Sequence, residues 1–348
     1  MIRSPAVAIL FASLAYSAAS SRVVARRDGT PAAPSGVAHQ AWDPPRREAA
    51  FKVVPVAELN LEALLYPADL QLSESGLLVF DHGGHALRIV NLRTRSVVRS
   101  LGRQGSGPGE FTNPAVFFGS RASPYLVEFS KGRVTRYFGD SLAVTRVASS
   151  GRWASGCTWA PGHLLLQTAG HPEYDFFITS IGDSARITDS LALPWEAVRG
   201  RPFMERQASL RQLDDSTCAM LPLYQREFAI ISPSKAAVLG VSPELLPPAR
   251  LRVERSAKVR MESLTGARPG ALDAKAWRQL VLVLFGGTTR YKFRILDAFD
   301  RQTLQYQGSV RLPLEATRIA IRGDTLVALA DRDGEPVLSV LRLLPIGR

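Results

Sequence analysis

Cysteine is scarce in this sequence of 348 residues, where only Cys157 and Cys218 are present. Two cysteines so far apart give neither a disulfide framework nor the ligand spacing of a zinc site. In an oxidising compartment they could pair, because they fall in neighbouring repeats of the strand pattern described below. The strict geometry of a disulfide favours two separate buried thiols instead.

Apolar runs long enough to cross a bilayer are also missing. The longest N-terminal stretch, Ala6–Ala15, follows a positive start at Arg3 and precedes small residues from Ser17 to Ser21. This layout predicts a secretory signal peptide over residues 1–19, cleaved after Ala19 or nearby. We therefore expect a secreted or periplasmic protein without a transmembrane segment once the signal is removed.

Lysine accounts for only six of the 43 basic residues, and the rest are arginine, at a formal net charge of +12. Arginine suits two-pronged contacts with carboxylates and phosphates, so an anion-binding surface that meets acidic polysaccharide, lipid headgroups or acidic proteins is one hypothesis. The alternative is that the arginine content reflects the coding composition of the organism. The basic residues are scattered along the chain, which argues against nucleic acid as a partner.

The composition and the residue pattern of the sequence change near Phe51. Residues 20–50 are rich in proline and arginine and poor in apolar residues, which predicts a flexible linker. From Phe51 onward, short runs of Val, Leu, Ile, Phe and Tyr are broken by Gly, Asp, Ser or Pro, a pattern typical of many short strands. Turns rather than helices separate the strands, which argues against a parallel βαβ sheet.

These strands fall into six evenly spaced segments of roughly four strands each. The fifth is irregular, with its first strand in Leu251–Met261 and a short helix at Ala271–Leu280. The sixth supplies only three strands, and the isolated run Phe51–Val56 supplies the fourth and closes the ring. The sequence therefore predicts an all-β fold, a six-bladed β-propeller over residues 51–348. A β-sandwich with a separate small domain is the alternative.

Specific residues in the first segment add to this pattern. The strand Gly76–Asp81 ends in aspartate, Arg88-Ile89 follows in the next strand, and Leu101–Phe111 contains Gly-Pro-Gly-Glu-Phe. Together these residues resemble the NHL-repeat type of six-bladed β-propeller, closely over about one blade. The resemblance implies that the glycine-rich turn leads into the next blade.

The chemistry of that turn follows from its residues. Gly105, Gly107 and Gly109 tolerate positive φ, which a tight crossover needs. We expect Glu110 to accept backbone N–H bonds and Phe111 to fill the gap between adjacent blades. A nucleotide-binding loop is excluded, because neither the GxGxxG register nor a following helix is present.

In a propeller, the loops between second and third strands open on the same face as the crossovers between blades. Convergent polar groups at such a face are the default site hypothesis. The predicted binding residues on this top face are Asp81, His82, His85, His171, Arg226, Arg290, Asp331 and Asp333.

Two of these loops contain metal-ligand residue types. Asp81, His82 and His85 offer carboxylate and imidazole groups. Asp331–Glu335 resembles the opening of a calcium loop but lacks its later ligands. Aspartate after a strand also commonly caps a turn, and Gly83-Gly84 lets the chain reverse. Calcium remains an open candidate cofactor, and no metal ligand is assigned.

Motifs for a catalytic nucleophile or a zinc protease are absent. The favoured hypothesis is a non-catalytic, monomeric, exported propeller that binds a protein, a peptide or a glycan on its top face. The alternative, which the family resemblance implies, is a calcium-dependent hydrolase of lactones or esters, or a lyase, with its metal in the central channel. The predicted channel-facing positions are poor in carboxylates. They are Asp69, Gln71, Thr158, Arg211, Arg318 and Ala320.

Overall fold

The computed structural model describes residues 46–346 with internal gaps. The gaps are 61–62, 75, 113, 119–123, 129–132, 139–140, 147–151, 170–175, 181–186, 192–207, 234, 244–245, 247–249, 256–259, 266–268 and 288–290. The predicted signal peptide and most of the predicted linker lie outside the described residues.

The described strands form six four-stranded antiparallel sheets, and two shorter pairs lie between them. The strand that opens the described chain is β1 (Phe51–Asn60). We number the sheets in chain order from the one that follows β1, so that the sheet joined by β1 at the end of the chain is the sixth. The first sheet contains β2 (Pro67–Ser73), β3 (Gly76–Asp81), β4 (Ala86–Asn91) and β5 (Ser96–Leu101). A short parallel pair, β6 (Arg103–Gln104) and β7 (Glu110–Phe111), leads to the second sheet.

The second and third sheets follow the same order. The second contains β8 (Pro114–Phe118), β9 (Pro124–Glu128), β10 (Arg133–Phe138) and β11 (Ser141–Arg146). The third contains β12 (Arg152–Ala160), β13 (His163–Ala169), β14 (Phe176–Ser180) and β15 (Ile187–Leu191).

The last three sheets include one inserted hairpin. The fourth sheet contains β16 (Ala208–Gln212), β17 (Cys218–Pro222), β18 (Glu227–Ser232) and β19 (Lys235–Val241). The hairpin consists of β20 (Arg250–Arg255) and β21 (Arg260–Thr265). The fifth sheet contains β22 (Ala271–Trp277), β23 (Leu280–Phe285), β24 (Ile295–Asp300) and β25 (Tyr306–Arg311). The sixth contains β26 (Ala316–Arg322), β27 (Thr325–Arg332) and β28 (Glu335–Pro345), together with β1.

The first strands of the six sheets contact one another in cyclic order. Strand β2 meets β8, β8 meets β12, β12 meets β16, β16 meets β22, β22 meets β26, and β26 returns to β2. Apolar clusters fill the spaces between neighbouring sheets, as where Leu70 and Val79 of the first sheet pack with Val327 and Leu329 of the sixth. The result is an all-β, propeller-like architecture in which the first strands lie innermost.

The N-terminal strand completes the last sheet, as predicted. Strand β1 pairs antiparallel with β28, from Phe51 opposite Pro345 to Asn60 opposite Val337. Phe51 and Leu59 are buried in two different apolar clusters, so the pairing is supported by packing along its length. The prediction of a borrowed fourth strand is confirmed.

The fifth sheet corrects one prediction. Its first strand is β22, in the segment Ala271–Leu280 that was predicted to form a helix, and Leu251–Met261 belongs instead to the inserted hairpin. Alanine, leucine and lysine favour a helix locally. Here, however, β22 pairs with β23 from Ala271 to Trp277, and the small side chain of Ala274 is fully buried in the packed core. Tertiary packing overrides the local preference.

The glycine-rich turn largely follows its prediction. Gly105 and Gly109 have φ values of 151° and 71°, and Phe111 is fully buried among residues of the first two sheets. Glu110 accepts a backbone hydrogen bond from Gly107 at 2.8 Å. Gly107 itself does not adopt positive φ. A Cβ atom there would lie 3.0 Å from Glu110 Oε2, so a larger residue would require the carboxylate to shift by a few tenths of an ångström.

The two cysteines are bonded to each other, which corrects the preference for separate thiols. Cys157 in β12 and Cys218 in β17 form a disulfide between the third and fourth sheets, with 6.4 Å between their Cα atoms. Both are fully buried in one apolar cluster. The cyclic arrangement brings the neighbouring sheets together, so a separation of 61 residues in sequence becomes a direct contact. Within the described part of the chain, no helix is long and apolar enough to cross a membrane.

Candidate ligand site at the channel end of the first strands

Three first strands carry a charged residue at the same structural position. Asp69 in β2, Asp273 in β22 and Arg318 in β26 each follow a shift in register against the second strand of their own sheet. They pair with Phe80, Leu284 and Leu329, near the ends of those second strands. The three charges therefore lie at the end of the sheets from which the hairpins between second and third strands project.

Arg211 connects this position across the ring. Its side chain comes from β16 in the fourth sheet, and its Nη1 donates to Asp69 Oδ2 in the first sheet at 3.1 Å. The first and fourth sheets are opposite in the cyclic order, so this guanidinium spans the channel. Its Nε also lies 3.3 Å from Asp273 Oδ1. Arg211 thereby links three sheets across the channel, and we call Arg211 with Asp69 and Asp273 the floor of the channel.

Both carboxylates of this floor are already engaged. Asp69 Oδ1 accepts the backbone N–H of Leu70 at 2.8 Å. Asp273 Oδ1 accepts from Ala274 at 2.9 Å, and its Oδ2 accepts from Ile319 of the adjacent sheet at 2.9 Å. Because every one of these donors is a main-chain amide, the two carboxylates are fixed in position.

Arg318 has unpaired donors in this cluster, and Arg211 Nε, although 3.3 Å from Asp273 Oδ1, makes no hydrogen bond either. Arg318 is half-buried, and its Nη1 donates to the backbone oxygen of Thr317 at 2.7 Å. Its Nε is buried without a hydrogen-bond partner. Burial, and then the nearby charge of Arg211, lower the pKa of Arg318, while Asp69 and Asp273 oppose that effect. A guanidinium with unmet donors beside a second guanidinium is suited to an anion.

Lys275 adds a third cation. Its Nζ lies 3.5 Å from Asp273 Oδ1, and its side chain is 14% exposed. Among the described residues this cluster thus combines three cations with two carboxylates, which leaves one positive charge in excess. We call Asp69, Arg211, Asp273, Lys275 and Arg318 the channel cluster.

An exposed apolar pair lies beside the channel cluster. Leu65 and Tyr66, just before β2, are 68% and 59% exposed. Their backbone amides donate to Asp81 Oδ1 at 3.2 and 2.8 Å, and the carbonyl of Tyr66 accepts from His82 at 2.8 Å. The Tyr66 side chain lies within electrostatic range of the Arg318 guanidinium. We call Leu65 and Tyr66 the apolar platform, because their backbone is fixed while their side chains face solvent.

Asp81 has a different role from the one predicted. It is fully buried, and besides the two platform amides its Oδ2 pairs with Arg88 Nη2 at 3.4 Å. Asp81 therefore cannot contact a ligand. The reason is that the segment before β2 folds over the end of β3 and covers the carboxylate, which then acts as a positioning residue for the platform.

His82 and His85 do lie at the surface of this hairpin. Both are half-buried, their rings are 6.0 Å apart, and His82 packs edge-on against Tyr66 with centroids 6.0 Å apart. His85 has φ of 49° and a buried Nδ1 without a partner. The histidine pair thus borders the apolar platform.

The positioning role of Asp81 gives a first prediction. We expect Asp81→Ala to release the platform backbone, because two charge-assisted hydrogen bonds are lost, and to raise thermolysin cleavage before Leu64 or Leu65 by roughly tenfold or more. Mass spectrometry of the fragments locates the cut. Asp331→Ala is the matched control, since Asp331 caps an exposed turn by accepting from Gly334 at 2.8 Å. Equal cleavage of both variants would show that Asp81 does not hold the platform.

Among the described residues, no hydrogen bond or ion pair connects the other predicted binding residues to one another. Arg226 pairs with its neighbour Glu227 at 3.7 Å. Asp331 lies at the exposed end of β27, and Asp333, with φ of 57°, lies in the turn that leads to β28. His171 and Arg290 lie outside the described residues. These loops follow the second strands of their sheets, but the side chains of Arg226 and Asp331 interact with residues close to them in the sequence.

The described residues do not fit a calcium centre at the channel cluster. Calcium takes six to eight oxygen ligands. Here Arg211 and Lys275 pair with the two carboxylates, which also accept three main-chain amide hydrogen bonds between them. No group of three or more His, Cys, Asp or Glu side chains that could hold a metal occurs among the residues with described positions.

Comparisons with known proteins agree with the fold. No protein-family model and no curated protein matches this chain. A solved structure of a protein classed as exported, from Bacteroides fragilis, is 12% identical, covers 86% of this chain and 97% of its own length, and has a TM-score of 0.55. A member of the DUF4221 family from Bacteroides vulgatus is 8% identical, with 86% and 100% coverage and a TM-score of 0.55. A Bacteroides thetaiotaomicron protein of unknown function is 12% identical, with 85% and 76% coverage and a TM-score of 0.51. At these identities the likeness shows the fold alone.

The sequence predicted that three residues of the channel cluster face the channel, but it did not predict that they contact one another. Asp69, Arg211 and Arg318 were predicted to face the channel, but Asp273 and Lys275 were missed because their segment was predicted to be helical. One signal was available. Asp69, Asp273 and Arg318 are each the third residue of a first strand, so aligning the segments would have placed them together.

Proposed function

We propose that this chain is an exported, non-catalytic six-bladed β-propeller of NHL-like type that binds the acidic group of a peptide or glycan partner at the channel cluster. Six four-stranded sheets in cyclic contact support the blade count. The residues of the first sheet and its glycine-rich turn support the NHL-like assignment.

The observation that carries the binding proposal is Arg318. Its Nε is buried and lacks a partner, and the three cations of the cluster, Arg211, Lys275 and Arg318, outnumber its two carboxylates by one. The Arg318 side chain is only half-buried, so an anion can bind the part of the guanidinium that remains exposed. A carboxylate fits a guanidinium with two parallel hydrogen bonds.

Three observations support export. The N-terminal residues have the layout of a signal peptide. Disulfides such as Cys157–Cys218 persist in oxidising compartments. A protein of similar fold from Bacteroides fragilis is classed as exported.

The way the cluster uses its polar groups supports the non-catalytic part of the proposal. Its carboxylates are occupied by arginine, lysine and main-chain amides, so neither is placed as a general base or nucleophile. The alternative of a calcium-dependent hydrolase or a lyase needs ligands that this cluster does not offer.

A binding experiment tests the proposal. A panel of N-acetylated peptide acids and uronic-acid oligosaccharides is titrated calorimetrically against the wild-type protein and Arg318→Gln. We expect at least one ligand to bind, and its affinity to fall roughly tenfold or more in the variant, because a charge-assisted hydrogen bond is lost.

Arg322→Gln is the matched control on the same strand. Arg322 is exposed and pairs with Glu74 at 2.8 Å, so its substitution should leave the affinity unchanged. The proposal fails if no acidic ligand binds, or if both variants bind as the wild type does.

A further inference from the structure

The geometry points to a peptide C-terminus as the occupant of this site: we infer that Arg318 holds the terminal carboxylate while the apolar platform holds an apolar side chain within the last three residues. This inference rests on the proposed function and names its ligand class. It depends on three properties of the site, which are its net charge, the distance to the platform, and the chemistry of the platform surface.

The net charge matches a single carboxylate. Arg211 is committed to Asp69 and Asp273, and Lys275 lies against Asp273, so Arg318 supplies the one excess positive charge of the described cluster. A peptide C-terminus brings one negative charge, which neutralises that excess. Each further uronate of an acidic glycan would bring a charge that the described cluster does not balance. Capture of a C-terminal carboxylate by clustered donors is a recurring mode of peptide recognition.

The spacing matches an extended peptide. Tyr66 is three residues before Asp69, and the register of β2 shifts between Pro67 and Asp69, so the two Cα atoms are at most roughly 10 Å apart. Three extended residues of a ligand span the same length. A peptide with its carboxylate at the channel cluster therefore reaches the platform with its last few side chains.

The platform offers an apolar surface rather than a hydrogen-bonding one. The amides of Leu65 and Tyr66 are bound to Asp81, and the carbonyl of Tyr66 is bound to His82. What remains exposed is the isobutyl group of Leu65 and the ring of Tyr66 with its hydroxyl, on a backbone that is held before any ligand arrives. A rigid aromatic surface of this kind anchors an apolar side chain at low entropic cost.

The experiment compares three probes by calorimetry with the full-length protein. These are the peptide acid N-acetyl-Phe-Ala-Phe, the same peptide with a C-terminal amide, and digalacturonic acid. We expect the acid to bind at least tenfold more tightly than the amide. Arg318→Gln should abolish this difference, and Tyr66→Ala should weaken the acid by roughly tenfold while the acid remains preferred over the amide. Val98→Ala, at an exposed apolar residue in a different strand, is the control and should bind the acid as the wild type does.

The other outcomes overturn the inference in distinguishable ways. Binding of digalacturonic acid that depends on Arg318, with no preference between peptide acid and amide, would reject the peptide C-terminus and leave the proposed anion site standing. Acid binding that is unaffected by Tyr66→Ala would reject the role of the platform. Failure of every probe to show dependence on Arg318 would reject the proposed function as well. Circular dichroism of each variant separates these results from loss of folding.

Discussion

Removing the disulfide by the double substitution Cys157→Ala and Cys218→Ala is expected to lower the free energy of unfolding by about 4 kcal/mol. The bond closes a loop across 61 residues of sequence, and closing a loop of this length restricts the unfolded chain by about that amount. It joins the first strand of the third sheet to the second strand of the fourth. The loss should appear as a lower midpoint in urea unfolding.

Reduced wild-type protein separates the cross-link from the packing. It keeps both side chains, so its midpoint with reductant reports the cross-link without a cavity. Both cysteines are fully buried, so we expect reduction to require partial denaturant. If the fully reduced wild type unfolds at the same urea concentration as the oxidised protein, the disulfide contributes nothing to stability, and the support that it gives to an oxidising compartment weakens.

The architecture was predictable because its signal is local and repeated. Short apolar runs broken by turn residues recur at even spacing, and counting them left one sheet short of a strand. Strand β1 fills that place against β28. The glycine-rich turn was predictable for the same reason, since Glu110 and Phe111 act on their own neighbourhood and on the adjacent sheet.

The failed predictions depended on contacts between distant parts of the chain. Local composition favoured a helix at Ala271–Leu280, whereas pairing with β23 makes its first part a strand. Asp81 resembled an exposed residue at the end of a strand, yet the Leu65–Tyr66 segment buries it. Arg211 contacts Asp69 and Asp273 from two other sheets, and no pattern in the sequence predicted these contacts.

A buried ion pair between Arg46 and Asp297 lies at the start of the described chain. Arg46 Nη2 lies 3.1 Å from Asp297 Oδ2, and the two side chains are 4% and 0% exposed. Ser309 and Ser242 also donate to this carboxylate, at 2.6 and 3.1 Å. Next to the pair, Ala49 donates to the carbonyl of Ser309 in β25 at 3.0 Å. The end of the predicted linker is therefore fastened to the fifth sheet before β1 crosses to the sixth.

We expect Arg46→Met to destabilise the protein by about 3 kcal/mol at neutral pH, because it leaves a buried carboxylate without its counter-ion. Methionine keeps an unbranched apolar chain against Phe285, over which the Arg46 guanidinium lies at 5.5 Å. The double variant Arg46→Met with Asp297→Asn removes the charge as well and should recover part of the loss. Arg332→Met is the control, because it breaks an exposed ion pair with Glu58 and should change stability little.

The loss should grow as the pH rises. Burial raises the pKa of Asp297 above its ordinary value of 3.8, and Arg46 opposes that effect, so the pKa rises further in Arg46→Met. A carboxyl group whose pKa is higher in the folded state binds its proton more tightly there, and this contribution to stability is lost as the pH rises from 3.8 through the folded-state pKa. Urea unfolding of Arg46→Met and wild type at pH 5 and pH 7 should show the larger difference at pH 7. A difference that is constant with pH, or smaller at pH 7, would mean that loss of Arg46 does not raise the pKa of Asp297 within this range and would contradict the prediction.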